Sequence, residues 1–354
     1  MTLSRDTILA WPKADLHCHL DGSLRLETLI DLARKANLLH ELPSDDPAEL
    51  TRILEKIDHS SSLADFLVWF KYTIMVMQDR DALHRIAYEL VEDCAKENVK
   101  YVEVRYAPIE HKRGGLTAAE ANDAVLAGLR DAEQATGTIA RVIICGLRDR
   151  FESESFGLAE LAVKNKRNGV VAFDLAGGEA GNPAKLHVHA FGYARDKNLN
   201  ITCHAGEAWG PESIQQALHD CGAHRIGHGV TLKDDPDLMQ YVIDHRIPLE
   251  LCPTSNVQCH VVPSLAEHPI KYYVDQQVRV TVNTDNRLFS RTSSTDELWR
   301  CHQHLGFDEK TLKWIVLNGF KSAFLPYEER QALMSKVLPV LDMSRYTLEP
   351  PTIH

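Results

Sequence analysis

Residues 225–255 read RIGHGVTLKDDPDLMQYVIDHRIPLELCPTS, in which a helical pattern separates two short apolar runs. RIGHG (225–229) and IPLELCPTS (247–255) are apolar stretches that end in Gly or Ser, as buried strands do. The segment between them, DPDLMQYVIDH (235–245), spaces its apolar residues at the helical period. Nearly continuous apolar strands that alternate with helices indicate a parallel sheet covered by helices.

The same alternation extends along the chain in both directions and predicts eight strands in all. The other six are ADLHCH (14–19), VKYVEVRYAP (99–108), ARVIICGL (140–147), VVAFDLAG (170–177), NITCHAG (200–206) and VRVTVNTD (278–285). A count of eight favours an α/β fold of the closed (β/α)8 TIM-barrel type. An open doubly wound sheet is the alternative, but no GxGxxG follows the first strand. No linker or repeat divides the chain, so we expect one domain over residues 1–354.

The interval between the first two strands is unusually long. It has about eighty residues, where a simple βα unit needs roughly thirty. Three segments in it have helical patterns: LRLETLIDLARKANLLH, SSLADFLVWFKYTIMVM and DALHRIAYELVEDCAKE. We expect one of these helices to pack on the barrel wall and the others to cross the top, where they would cover a ligand. A further helix, YEERQALMSKVL, follows the last strand.

The composition limits the possible partners. The chain has 354 residues, of which 44% are hydrophobic, and a formal net charge of −11. Nucleic acid and anionic membrane surfaces attract basic proteins, so this charge argues against both and leaves a small molecule as the expected partner. Eight cysteines without CxxC pairs indicate reduced core thiols. With no apolar run that resembles a signal peptide or a membrane span, we expect a cytoplasmic protein; the oligomeric state stays open.

Polar residues occupy several of the predicted strand ends, which in such barrels meet at one rim and form the active site. They are His17 and His19 in strand 1, His204 and Glu207 at strand 5, His228 at strand 6 and Asp285 at the end of strand 8. Residues two apart on a strand face the same side, so His17 and His19 both point into the barrel mouth. Together with His204 and Asp285 they form a ligand set that suits Zn²⁺ with room for water.

The HxH spelling alone is a weak signal, because the chain contains it twice more. His187-Val188-His189 and His302-Gln303-His304 lie in segments with helical patterns, where residues two apart do not face each other. We expect those histidines to lie on the surface or in ordinary packing. Two-metal barrels of the amidohydrolase type usually place a carboxylated lysine on strand 4, but VVAFDLAGGE has no lysine. The sequence therefore predicts one metal ion per chain.

Seven motifs resemble the adenosine deaminase family in order and spacing. They are PKADLHCHLDGSL, YVEVRYAP, DLAGGE, HAGE, RIGHG, CPTSN and NTDN, and the later GFKSAFLPYEER is similar too. The resemblance runs from about residue 12 to about residue 337. It implies a (β/α)8 barrel, one zinc ion and hydrolytic deamination of a 6-aminopurine nucleoside, with adenosine and 2′-deoxyadenosine as the first expectation.

The resemblance also implies a role for each matching residue. The implied zinc ligands are His17, His19, His204 and Asp285. Glu207 matches the proton shuttle, and His228 matches the histidine that orients or deprotonates the zinc-bound water. Gly177 matches the backbone contact to purine N3, and Asp21 matches the carboxylate that holds a ribose hydroxyl. The chemistry agrees, because bound Zn²⁺ lowers the pKa of water toward roughly 7 and produces a hydroxide that attacks C6. N1 must then take a proton, which a carboxylic acid supplies.

One position departs from many members of the family. Asn286 stands where a second Asp often contacts purine N7, and an amide donates to N7 at any pH. Ala107 stands where some relatives have Ser. Both leave other 6-aminopurines open as substrates: adenine, AMP or its N6-methyl form, or aminofutalosine-type nucleosides. Asp21 argues against adenine, and we expect Arg287 and Arg291 to lie in a solvated loop and not to bind a phosphate. A barrel that binds nucleosides without turnover would not need Glu207.

Overall fold

The computed structural model describes residues 3–343, and its centre is an eight-stranded parallel barrel. The strands are Lys13–His19 (β1), Val99–Tyr106 (β2), Ile139–Leu147 (β3), Val170–Ala176 (β4), Asn200–Ala205 (β5), Arg225–His228 (β6), Leu249–Leu251 (β7) and Val280–Val282 (β8). They pair in sequence order, and every pairing is parallel. The predicted (β/α)8 fold is confirmed.

Sixteen α-helices lie within the described residues, most of them between successive strands. They are Arg5–Ala10 (α1), Leu26–Lys35 (α2), Pro47–Leu54 (α3), Leu63–Leu67 (α4), Phe70–Ile74 (α5), Arg80–Lys96 (α6), Ala118–Thr136 (α7), Glu152–Lys164 (α8), Val188–Asp196 (α9), Pro211–His219 (α10), Pro236–Asp244 (α11), Pro253–Gln258 (α12), Ile270–Asp275 (α13), Ser294–Leu305 (α14), Glu309–Ser322 (α15) and Tyr327–Val340 (α16). Short 3-10 turns occupy Leu39–Glu41, Glu55–His59, Pro108–His111, Ala184–His187, Leu232–Asp234 and Leu265–Glu267.

Six predicted strands extend beyond the observed ones, and the difference is largest for the last two. β7 ends at Leu251 because Pro253 begins α12, and proline is well suited to the first turn of a helix. β8 ends at Val282, three residues before Asp285, so the prediction that Asp285 ends the strand is wrong. Asp285 has a φ of 58°, a left-handed conformation that cannot continue a strand.

Asp285 nevertheless closes the barrel through its backbone. Its N–H donates to the carbonyl of His17 at 2.8 Å, and its carbonyl accepts from the N–H of His19 at 2.7 Å. These bonds form an isolated bridge between β1 and the segment after β8. The closure therefore brings the Asp285 carboxylate beside the first HxH pair.

The helices of the long insertion between β1 and β2 lie in two places, as predicted: on the barrel wall and over the barrel mouth. α6 packs against β2 and against α7, where it buries one face on the barrel wall. In contrast, α4 and α5 carry Leu63, Phe66 and Phe70 over the barrel mouth, where these side chains pack near Phe289 and line the cavity described below. Burial of such apolar side chains stabilises this cover by roughly 1.5–3 kcal/mol per side chain.

The structure agrees with the predictions of free core cysteines and of no membrane-spanning segment among the described residues. All eight cysteines are buried and none is in a disulfide. Within residues 3–343, no helix is both long enough and apolar enough to cross a membrane.

Candidate active site

Four side chains converge where β1, β5 and the closing segment meet. His19 Nε2 lies 3.2 Å from His204 Nε2 and 3.4 Å from Asp285 Oδ1. His17 Nε2 lies 3.5 Å from the same carboxylate oxygen. A tetrahedral zinc site with bonds of about 2.0–2.1 Å has ligand atoms about 3.3–3.4 Å apart. The distances between these donor atoms therefore fit a single small cation.

The hydrogen bonds of the two inner histidines also suit a cation. His17 Nδ1 donates to Glu250 at 2.9 Å, and His204 Nδ1 donates to Asp174 at 3.0 Å, so each ring keeps the Nε2 lone pair. His17 Nε2 is fully buried and has no hydrogen-bond partner among the described residues. An unpartnered buried nitrogen is unfavourable unless something binds it. The arrangement fits a bound metal ion.

A second possible ligand set shares His17 and Asp285 but adds His228 and Cys252. Its donor atoms also lie within 4.8 Å of one another. However, the Cys252 thiol donates to the Glu250 carbonyl at 3.5 Å, and burial raises the pKa of this thiol well above its usual value. The set of His17, His19, His204 and Asp285 is therefore better suited to a metal.

Beneath the histidines lies a layer of buried charges inside the barrel. Arg105 donates to Asp174 at 2.9 Å and to Glu250 at 2.7 Å, and Arg225 donates to Glu250 at 2.6 Å and also to Glu103. Such carboxylates fix the tautomer and the ring orientation of ligating histidines. The His204 ring and Arg105 hold the pKa of Asp174 well below its usual range, although burial opposes this. Arg105 and Arg225 do the same for the pKa of Glu250.

Glu207 is buried and lines the same small cavity as His19, His204 and Asp285. Burial raises the pKa of Glu207 well above its ordinary value, and the nearby carboxylates of Asp285 and Glu179 raise it further. Glu179 fixes the loop after β5, because it accepts from the backbone N–H groups of Gly206 and Glu207 at 2.7 and 2.8 Å. The loop thus holds the Glu207 carboxyl group at the edge of the site, in surroundings that favour its protonated form.

His228 ends β6 and lines this small cavity together with Glu207, close to the four converging side chains. Its Nε2 lies 3.6 Å from Glu207 Oε2, and its ring centroid is 4.7 Å from that of His17. Its φ of 60° is left-handed, a strain of roughly 1–3 kcal/mol that a rigid site can hold in place. Gly227 allows the close approach, since a Cβ there would lie 3.1 Å from the Cα of His204.

Two adjoining cavities open from this point. The inner one, of about 40 Å³, is lined by His19, Glu207, His228, Asp285, Asn286 and the apolar cover. The outer one, of about 240 Å³, is lined by His19, Asp21, Tyr106, Ala107, Gly177 and Arg150, among others. Gly177 borders both cavities, so the predicted metal ligands and the predicted substrate contacts lie around adjoining spaces.

Asp21 and Asn286 each line one of these cavities and each carry a buried polar atom without a partner in the described part of the chain. Asp21 Oδ1 and Asn286 Oδ1 are buried without a partner among the described residues. Burial raises the pKa of Asp21 to about 7. Asn286 packs directly on Gly22, where a Cβ would lie 1.8 Å from its Oδ1. The glycine of HLDG is therefore required by the position of Asn286.

The two arginines after β8 do not reach this space. Arg287 is largely covered, with 11% of its side chain exposed, and is paired with Glu97. Arg291 is paired with Asp58 and donates to the Leu54 carbonyl at 3.1 Å. The expectation of a solvated loop is wrong for Arg287, whose guanidinium is an internal ion pair. Neither arginine lines the inner or the outer cavity.

The sequence did not identify the residues that support the ligands. Asp174, Glu179, Glu250 and Arg105 hold the histidines and the Glu207 loop in place. A signal was present, since Asp174, Glu250 and Arg105 interrupt apolar strands, and charged residues are rarely buried without a partner. What the sequence does not provide is which strands are close enough to pair them.

Comparisons with known proteins place this geometry in a family. A family profile described as "Adenosine deaminase" matches residues 12–340. The adenosine deaminase of Mycobacterium avium (strain 104) is 44% identical over 354 residues, which cover 95% of this chain and 96% of that protein. The adenosine deaminase of Mycobacterium marinum (strain ATCC BAA-535 / M) is also 44% identical, over 94% of this chain and 96% of that protein.

Solved structures agree. An amidohydrolase from Burkholderia ambifaria with bound Zn superposes with a TM-score of 0.87 at 26% identity, covering 97% of this chain and 94% of that one. The N6-mAMP deaminase from Arabidopsis has a TM-score of 0.84 at 28% identity, covering 94% and 99%. The chain therefore belongs to the adenosine deaminase family.

Proposed function

We propose that the protein hydrolyses the 6-amino group of adenosine and 2′-deoxyadenosine, giving inosine or 2′-deoxyinosine and ammonia. The observation that carries this proposal is the convergence of three histidine nitrogens and one carboxylate beside a buried glutamic acid, at the wall of a substrate-sized space. The curated relatives that are 44% identical over nearly the whole chain are named adenosine deaminase, which supports the same reaction.

We assign one Zn²⁺ per chain to His17, His19, His204 and Asp285. The nitrogen-rich donor set, the spacing of its atoms and the zinc in the Burkholderia neighbour support this assignment. When bound, the cation lowers the pKa of a water molecule toward roughly 7 and so supplies a nucleophile at neutral pH.

Glu207 is the proton donor in this scheme. Addition of oxygen at C6 breaks the aromaticity of the purine and moves an electron pair onto N1, which must then be protonated. Glu207 is buried and its raised pKa keeps the proton on the carboxyl group until N1 needs it. His228, whose Nε2 lies 3.6 Å from Glu207 Oε2, orients the attacking oxygen.

The purine and the ribose have separate contacts in the two cavities. Gly177, with a φ of 91°, exposes its backbone at the border between the cavities and is assigned to purine N3. The Asn286 amide at the inner cavity is assigned to N7, which only accepts hydrogen bonds. Asp21, at the outer cavity, is assigned to a ribose hydroxyl, because its unpartnered oxygen needs a donor.

Other 6-aminopurines fit less well. A nucleotide would need a cation for its phosphate, and the two arginines after β8 are already paired with Glu97 and Asp58. Arg150 lines the outer cavity but is paired with Glu110 at 2.8 Å. Free adenine would leave the Asp21 carboxyl without a partner. Adenosine and 2′-deoxyadenosine therefore remain the proposed substrates.

The test is an ultraviolet assay on zinc-loaded protein with adenosine, 2′-deoxyadenosine, adenine, AMP, N6-methyl-AMP and an aminofutalosine-type nucleoside at equal concentration. We expect the first two to have the highest kcat/KM by at least ~10-fold, the difference that about 1.4 kcal/mol of lost binding produces. A larger kcat/KM for adenine or for a nucleotide would contradict the substrate assignment. Absence of ammonia release from every compound would contradict the reaction itself.

A further inference from the structure

Behind His228 lies a chain of hydrogen bonds that leads away from the active site into the protein. The backbone N–H of Ile270 donates to His268 Nδ1 at 3.1 Å, and His268 Nε2 lies 3.1 Å from Asn256 Oδ1. Asn256 Nδ2 lies 3.0 Å from His228 Nδ1. The side chains of His228, Asn256 and His268 are all buried, so solvent does not compete for these bonds.

The direction of this chain is fixed at its far end. A backbone N–H only donates, so His268 Nδ1 must be an acceptor. Burial lowers the pKa of His268 to about 3, which keeps the ring neutral, with its single proton on Nε2. Asn256 Oδ1 accordingly accepts from His268, and it also receives the backbone N–H of Cys252 at 3.4 Å. If the Asn256 amide were rotated by 180°, its NH₂ group would face two other donors, His268 Nε2–H and the Cys252 N–H, which is unfavourable.

The amide group of Asn256 therefore turns its NH₂ toward His228, whose Nδ1 can only accept. We propose that Asn256 and His268 are positioning residues that hold His228 as the neutral tautomer with its proton on Nε2. His228 then presents a hydrogen-bond donor, and not a base, to the point between the metal ligands and Glu207. The tautomer assignment stands on the geometry alone, whereas its role in turnover rests on the proposed function.

The donor has a definite task in deamination. The oxygen that attacks C6 gains negative charge as the reaction proceeds, and a preorganised N–H beside it stabilises that charge. A histidine with its proton on Nε2 has no lone pair facing the cavity, so it cannot accept the proton that water loses. The left-handed backbone of His228 and the packing of Gly227 against His204 keep the ring in this position.

The direct test is ¹⁵N NMR of histidine-labelled, zinc-loaded protein, with the His228 signals assigned by their loss in His228→Gln. The chemical shifts and the long-range couplings to ring protons show which nitrogen is protonated. We expect His228 Nδ1 to be of the unprotonated type and Nε2 of the protonated type at pH 7.5. A proton on Nδ1 would overturn the proposal. Because no substrate is present, this result is independent of whether adenosine is the substrate.

Asn256→Asp tests the link to turnover with an almost isosteric change. A carboxylate accepts from Nδ1, so we expect a proton on His228 Nδ1 and a fall in kcat of about 10²–10³-fold from loss of the Nε2 donor, with KM within about 3-fold and full zinc content. Wild-type kcat, or an unprotonated Nδ1 in this variant, would overturn the proposal.

A matched pair at His268 keeps the proposal falsifiable if Asn256→Asp does not fold. His268→Gln retains a donor toward Asn256, whereas His268→Leu removes it and allows the amide to turn. We expect His268→Gln to retain kcat within about 2-fold and to retain the His228 tautomer. We expect His268→Leu to lose about 10-fold in kcat, the effect of one lost hydrogen bond, and to give a mixture of tautomers. Equal kcat and identical His228 spectra in the two variants would overturn the proposal.

Discussion

His17-Cys18-His19 and His187-Val188-His189 have the same spelling and opposite roles. On β1, the first pair projects to one side, and His19 Nε2 lies 3.2 Å from His204 Nε2. In the second pair, His187 ends a 3-10 turn and its Nε2 lies 3.4 Å from the Arg148 carbonyl. His189 is the second residue of α9, and its Nδ1 lies 2.7 Å from Glu152 Oε1 on the surface. The conformation of the backbone, and not the spacing of the letters, decides whether two histidines can share a ligand.

The carboxylates that contact the two HxH pairs differ in burial. Glu250 is fully buried and also bound by two arginines, so its bond to His17 fixes both the tautomer and the ring. The side chain of Glu152 is 34% exposed and that of His189 78% exposed, where an ion pair contributes little. A metal site thus needs a second buried layer as well as converging ligands.

The largest expected effect comes from removing one histidine of each pair. His19→Ala removes a metal ligand, so we expect zinc well below one ion per chain and activity at background level. His189→Ala removes only a surface contact and should retain both. Metal analysis after dialysis and the ultraviolet assay measure the two quantities. Full zinc content in His19→Ala would break the comparison between the two HxH pairs.

Glu207→Gln separates metal binding from proton donation. The amide cannot give N1 a proton, so we expect kcat to fall by about 10²–10⁴-fold while one zinc ion per chain remains. Glu212→Gln, five residues further on at the exposed start of α10, is the matched control and should behave as wild type. Unchanged kcat in Glu207→Gln would contradict its role as the proton donor.

The second layer is tested by Asp174→Asn against Glu152→Gln. Each change removes the charge of a carboxylate that contacts a histidine. Asp174 contacts His204, which lies beside the first HxH pair, and Glu152 contacts His189 of the second pair. Because Asp174 orients His204 and strengthens it as a ligand, we expect zinc affinity to fall by about 10–100-fold in Asp174→Asn, measured by competition with a chelator. Glu152→Gln should not change it. Equal affinities in the two variants would show that the buried layer does not act on the metal.

The smallest effect concerns the N7 contact. Asn286→Ala removes one hydrogen bond to the purine, so we expect kcat/KM for adenosine to fall by about 10-fold. 7-Deazaadenosine lacks N7, and with this nucleoside Asn286→Ala and the wild type should differ by less than about 2-fold. The same loss with both nucleosides would mean that Asn286 acts by packing on Gly22 and not through N7.

Much of the site follows from the sequence because strand ends in a barrel meet at one rim. His17, His19, His204 and Asp285 could be grouped from the alternation of strands and helices alone. Asp285 lies beside these histidines although the strand before it is shorter than predicted, since its backbone bonds to β1 bring it to the same place. Local pattern was thus enough where topology determines the position.

The support of the ligands does not follow from local pattern. Asp174, Glu250 and Arg105 come from three different strands, and their pairing depends on how far each strand is shifted along its neighbour. The same holds for His268 and Asn256, which lie 12 residues apart and meet only because α12 and the turn after it fold back behind His228. Register and loop path are tertiary properties.

The most direct test of the account is the position of the metal. Anomalous diffraction at the zinc edge from crystals of zinc-loaded protein locates the ion without reference to activity. We expect one strong peak about 2.0–2.2 Å from His17 Nε2, His19 Nε2, His204 Nε2 and a carboxylate oxygen of Asp285. A peak ligated by His228 and Cys252, or one at His187 and His189 with none at β1, would contradict the account.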